Sequence, residues 1–260
     1  MINIPDNFQL KIFMGSRIIL FKTMLMDSQP IFSNQTTYSF FNDNDENETS
    51  VTLMSEGEAL EWLFKNSIFR RFFLEQFFSN PDKQRIFLRV KEPLTRYNYK
   101  PGDIDLLIID PNNPANAIAF ECKRVKSVAI NEETSKINSI QKIREGVKQA
   151  SALQSLGFNK SYLLILLLDD GRALLDPNTM FRYGKTPEIS QMYDLPWNEP
   201  LQRDVGIVFV KVNQMTGKSI NHSISVGICI EKQAERLDQL NSLTEKIIEI
   251  LKHPEDFNEV

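Results

Sequence analysis

Residues 101–126 read PGDIDLLIIDPNNPANAIAFECKRVK, two short apolar runs joined by a turn rich in Pro and Asn, each with charge at one end. Side chains alternate faces along a strand, so Asp103 and Asp105 share one face of the first run while Ile104 and Leu106 take the other. In the second run Glu121 and Lys123 share a face, and Cys122 turns into the packing with Phe120. Antiparallel pairing through the turn at 111–116 brings Asp105 beside Glu121 and Lys123. Two carboxylates and one ammonium then converge.

Such a trio suits phosphodiester hydrolysis, which needs a divalent cation to offset phosphate charge and a group to position the attacking water. Hard oxygen ligands favour Mg²⁺, which keeps several waters and takes only one or two carboxylates. Lys123 would hold or deprotonate a water if its pKa were lowered, and would stabilise charge on the phosphorane if it were not. The residues leave both roles open.

The string Gly102-Asp103-Ile104-Asp105, followed sixteen residues after Asp105 by Glu121-Cys122-Lys123, resembles the PD-(D/E)XK nuclease superfamily. Its resolvase-like members pair Gly-x-x-Asp and apolar residues with an apolar strand ending in Glu-x-Lys. The resemblance spans residues 55–168 and implies a restriction endonuclease-like αβββαβ core, an α/β fold with a central mixed sheet flanked by helices. It further implies Asp105 and Glu121 as metal ligands with the Cys122 backbone carbonyl as a third, Lys123 as the catalytic lysine, and Mg²⁺ or Mn²⁺ as cofactor. The literal Pro-Asp pair is absent, since Pro101 precedes a glycine, so the place of Asp105 rests on spacing and parity. Glu-x-Lys alone is common on solvated strands. The preceding Gly-x-x-Asp strand and the Ala-Ile-Ala-Phe run make it more specific.

With 42% hydrophobic residues in 260, the chain suits an ordinary packed core. No run approaches the ~20 apolar residues that span a bilayer, and no signal-peptide pattern opens the sequence, so a cytoplasmic location is expected. Cys122 and Cys229 lie in apolar runs, where buried thiols rather than a disulfide are expected. His222 and His253 are the only histidines and are far apart in sequence, which supports neither a Ser-His-Asp triad nor a histidine metal motif. The net charge of −4 argues against a protein that coats nucleic acid nonspecifically. Residues 83–126, however, hold nine basic against five acidic side chains.

In chain order, residues 8–22 alternate like a hairpin within an N-terminal extension, 1–54. The acidic, Asn-rich loop at 42–50 lacks the glycine and final glutamate of a calcium loop. Ser55 and Glu58 form a capping box that opens a helix. Many nucleases of the resembled superfamily place a glutamate from the first core helix beside the metal, which implies Glu58 for that role, or Glu61 if the cap occupies Glu58. Residues 67–80 read as a Phe-rich helix and 84–94 as a strand. Arg96, Tyr97 and Lys100 follow in a loop suited to phosphate contact and base stacking; with Arg124 and Lys126 they form the candidate nucleic-acid-binding set. Residues 137–156 read as an amphipathic helix, and the resemblance implies a supporting role there for Gln149. The run at 161–168 reads as a strand covered on both faces. The nuclease-like core then extends to 231, with an irregular insertion at 169–203 and strands at 205–212 and 223–230. A C-terminal helix, within 232–260, carries an apolar stripe that packs on the sheet or joins a homodimer.

The function these residues imply is a metal-dependent deoxyribonuclease, with DNA as partner. The alternatives are an inactive nuclease-fold module that binds nucleic acid, and a nuclease directed at RNA.

Overall fold

The computed structural model describes residues 9–14, 17–25, 54–95, 102–129, 135–169, 187–214 and 223–260. Arg96, Tyr97 and Lys100, and the acidic loop at 42–50, lie outside them.

Among the described residues ten strands form one mixed sheet flanked by helices. The strands are β1 (Gln9–Met14), β2 (Arg17–Leu25), β3 (Arg85–Val90), β4 (Ile104–Ile109), β5 (Ile118–Ala129), β6 (Ser135–Asn138), β7 (Lys160–Asp169), β8 (Gly206–Gln214), β9 (Ser223–Lys232) and β10 (Asn258–Glu259). Their spatial order is β1-β2-β9-β8-β7-β5-β4-β3-β10, with β6 also pairing β5. β5–β7 and β7–β8 run parallel, and the other pairs among the described strands are antiparallel. The β1–β2 hairpin joins the same sheet through β9.

The helices are α1 (Glu56–Lys65), α2 (Ser67–Leu74), α3 (Lys142–Ser155), α4 (Pro187–Asn198) and α5 (Asn241–Lys252). The capping box at α1 forms as its residue types require: Ser55 Oγ accepts from Glu58 N–H, and Glu58 Oε2 accepts from Ser55 N–H at 2.8 Å. Asn66 caps α2, accepting from Ile68 and Phe69 N–H.

Strand parity sorts the core. Leu106, Ile108, Phe120, Cys122, Tyr162, Leu164 and Val208 face α1 and α2. Residues of the other parity, among them Leu163, Ile165 and Phe209, pack with α3 and α4, while Phe87, Leu107 and Ile109 pack with Leu243, Ile247 and Ile250 of α5. β7 is buried along its apolar run on both faces. A chain of rings ties α2 to the middle of the sheet. Phe73 meets Phe64 at 5.2 Å, Phe77 at 5.1 Å and Phe120 at 5.6 Å, and Phe120 stacks on Tyr162 at 5.1 Å.

Several boundaries differ from the sequence expectations. Ile137 belongs to β6, and α3 starts at Lys142 after Ser139 takes φ 69°; an apolar residue serves a short strand and a helix equally well. The segment expected to be irregular holds α4, with Pro196 inside it. β9 runs to Lys232 and α5 begins only at Asn241. The buried stripe of α5 is Leu243, Ile247 and Ile250, covered by the chain's own sheet; Leu240 is exposed.

Phe73 is fully buried at the centre of the ring chain, so Phe73→Ala is expected to cost about 3–5 kcal/mol in urea denaturation. A loss near zero would show that the rings do not hold α2 to the sheet.

Candidate active site

The site lies where the sheet divides. β4 and β5 pair only at Leu106↔Phe120, Leu107↔Ala119 and Ile108↔Ile118. Further along the same edge of β5, β6 takes over at Lys126↔Asn138. Between these ladders Cys122 and Arg124 have no strand partner on that edge. Buried main-chain N–H groups are costly to leave unpaired, and carboxylates take them up: Asp105 Oδ2 accepts from Cys122 N–H at 2.7 Å, and Glu56 Oε2 accepts from Arg124 N–H at 2.6 Å. The other edge of β5 is continuous with β7 from Ile118↔Lys160 to Ser127↔Asp169.

Asp105 enters the gap because the pleat is interrupted there. Ile104 packs with Leu107 and Val90 with Phe87, while Leu106 and Leu88 face the opposite side, so alternation slips in both strands at one level. Arg89, across from Asp105, takes φ 55°, a left-handed conformation that a non-glycine residue adopts only against strain. Its guanidinium meets Glu61 Oε2 at 3.3 Å.

Glu121 and Lys123 project beside this gap from β5, with 1% and 9% of their surface exposed. The Lys123 ammonium donates to Glu121 Oε1 and, at 3.0 Å, to the Cys122 carbonyl. Glu121 Oε2 is buried with no hydrogen-bond partner. Burial raises the Asp105 pKa to about 6, with Glu56 and Asp103 adding repulsion against the pull of Lys123 and the Cys122 N–H. Burial, then the nearby Asp105, raises Glu121 to about 9. For Lys123 burial acts downward, but Glu121 and Asp105 outweigh it and keep the ammonium charged. Both carboxyls are therefore held above the ordinary carboxylate range.

The fit of this cluster to a divalent cation rests on the Glu121 oxygen without a partner. With it stand the Asp105 carboxylate and the Cys122 carbonyl, a hard oxygen set. Among the described residues no group of three His, Cys, Asp or Glu side chains is placed to hold an ion by itself. A carbonyl and waters would complete the shell, as Mg²⁺ with its few protein ligands allows.

Of the other sequence candidates, Glu58 is engaged in the cap and fully solvated. Glu61 is paired with Lys65 and Arg89. The helix glutamate that reaches the gap is Glu56. The capping-box pattern draws attention to the third helical position, Glu58, whose side chain folds back onto the cap; the first position is left free to reach outward. Arg124, expected at nucleic acid, instead donates its guanidinium to the Met54 carbonyl, tethering the start of α1 to β5. Lys126 is partly buried and, by burial and then by Arg124 and Lys142, held below the ordinary lysine pKa. Gln149 lies on α3, three residues beyond Gly146, where a Cβ would fall 2.5 Å from Lys123 Cγ.

No family model matches the chain, and no curated protein matches it. Among solved structures, Pyrococcus furiosus SfsA in complex with Ca²⁺ is similar over 85% of this chain and 78% of its own, at 13% identity and a TM-score of 0.33. At that score the likeness carries no argument. Among the described residues no helix is long and apolar enough to cross a membrane.

Because its folded pKa is raised, Asp105 contributes stability that is fully present below its unfolded pKa near 4 and lost as pH rises through about 6. At ~1.4 kcal/mol per pH unit the loss is on the order of 2–3 kcal/mol, and Glu121 extends it toward pH 9. Asp105→Asn keeps an acceptor for Cys122 N–H and removes the charge. It should melt several degrees above the parent at pH 8, with the difference closing toward pH 4. Equal melting at pH 8 would show that the carboxylate is not held against its own ionisation.

Proposed function

We propose that this chain is a metal-dependent nuclease that hydrolyses DNA phosphodiester bonds, built on the αβββαβ core of the PD-(D/E)XK superfamily. The single observation that carries this is the divided sheet, where Asp105, Glu121, Lys123 and Glu56 meet around main-chain groups released from strand pairing. The chain runs α1, α2, β3, β4, β5, β6, α3, β7, and this order supports the reading if α2 and β6 are additions to the αβββαβ core.

Asp105, Glu121 and the Cys122 carbonyl would hold Mg²⁺ or Mn²⁺. Such an ion offsets the charge of a scissile phosphate and acidifies water. Glu121 and Asp105 keep Lys123 cationic, which suits it to stabilise developing negative charge rather than to act as a base. Glu56 holds the Arg124 N–H and adds a third negative group to the field felt by Asp105 and Glu121. Lys126, with Lys142 and Arg124 close enough to repel it, is placed to meet the phosphates of a strand leading from the site. Arg96, Tyr97 and Lys100 remain proposed contacts from the segment that precedes β4.

Purified protein incubated with linear, circular and single-stranded DNA and with RNA, with and without Mg²⁺ or Mn²⁺, tests this. Cleavage should require the ion and fall to background in Asp105→Asn and Glu121→Gln. Glu56→Gln, which keeps an acceptor for Arg124 N–H, should lose about 10–100-fold. Glu58→Ala should cut at the parent rate while melting below the parent, since it removes the acceptor of Ser55 N–H. Cleavage that survives Glu121→Gln unchanged would sink the assignment; a parent that binds DNA without cutting points to the inactive binding module.

A further inference from the structure

Glycine inside a helix costs about 1 kcal/mol relative to alanine, and Gly146 stands in the second turn of α3. The reason for it lies on β5. A Cβ at Gly146 would fall 2.5 Å from Lys123 Cγ and 2.9 Å from Leu163 Cδ1, both far inside ordinary contact. The leucine methyl is the free end of a side chain and can turn aside. Lys123 Cγ is in mid-chain, with the backbone of β5 fixed on β7 at Lys123↔Ile165 and the ammonium fixed on Glu121 and the Cys122 carbonyl. A side chain at position 146 therefore has to push the lysine stem itself.

We propose that Gly146 is the positioning residue for Lys123: the absence of a side chain on α3 leaves the channel in which the lysine stem lies, and this sets where its ammonium meets Glu121 and the Cys122 carbonyl. The helix gives up intrinsic stability at that position so that the lysine can pass beneath it. The consequence for turnover rests on the nuclease function proposed above; the packing does not.

A set of variants separates the two. Gly146→Ala is made in the parent, in Lys123→Ala, which removes Cγ and everything beyond it, and in Lys123→Met, which keeps Cγ and removes the charge. Melting temperatures are measured for all six proteins. Gly146→Ala should lower the melting temperature in the parent and in the Lys123→Met background. In the Lys123→Ala background it should leave it unchanged or raise it, as alanine for glycine does in an ordinary helix. Failure of Gly146→Ala to fold in the parent, with folding restored by Lys123→Ala, supports the same conclusion. Equal shifts in all three backgrounds would overturn it, since the substitution would then be felt by something other than the lysine stem. In the DNA cleavage assay Gly146→Ala should lower kcat at least tenfold with KM for DNA unchanged, and an unchanged kcat would overturn the positioning role. Absence of cleavage in the parent, with the thermal pattern intact, would refute the nuclease function and leave the packing of Gly146 on Lys123 standing.

Discussion

The division of the sheet between β4 and β5 is the constraint on which the site depends. A strand that loses its neighbour leaves N–H groups that need acceptors, and at Cys122 and Arg124 those acceptors are carboxylates from β4 and α1. Neutral acceptors would have met the hydrogen-bonding requirement at less electrostatic cost. Burial and mutual repulsion instead raise the pKa values of Asp105 and Glu121, so the fold holds negative charge where the medium disfavours it. Strain at a site of this kind is expected where geometry serves chemistry.

The two edges of β5 divide the work. Pairing with β7 is unbroken from Ile118 to Ser127, which fixes the direction and height of Glu121 and Lys123. The opposite edge passes from β4 to β6 and leaves the intervening main chain accessible to other groups. Rings from α2 and the turn after it back the same strand one residue before Glu121, through Phe73 and Phe77 against Phe120.

Asp105, Glu121 and Lys123 were legible because strand parity and an antiparallel turn need only local pattern, and the Ser55–Glu58 box because its two residue types answer each other three positions apart. The structure arrives at Asp105 by another route. Parity places it on the face of Leu107, whereas a slip in alternation opposite Arg89 directs it sideways into the gap. Nothing in the residues around Arg89 announces a positive φ, since glycine would be the usual signal. Glu56 was missed because proximity to β5 depends on how α1 lies across the sheet, a tertiary fact. Gly146 gave a local sign, a glycine inside a helical pattern, but its reason sits on another strand. The boundaries of α3 and α5 were misjudged where apolar residues serve strand, loop and helix alike.

The tether between α1 and β5 explains why the helix glutamate is the one at the first position. Arg124 binds the Met54 carbonyl through its guanidinium and Glu56 through its main-chain N–H, so β5 grips the helix immediately before and at its first turn. A residue two positions later, Glu58, is turned back by the cap. Glu61, a further turn along, meets Arg89 on β3. The three glutamates of α1 thus answer three different neighbours in succession: the divided sheet, the helix end and the strained strand. The first is the one whose charge acts on Asp105 and Glu121.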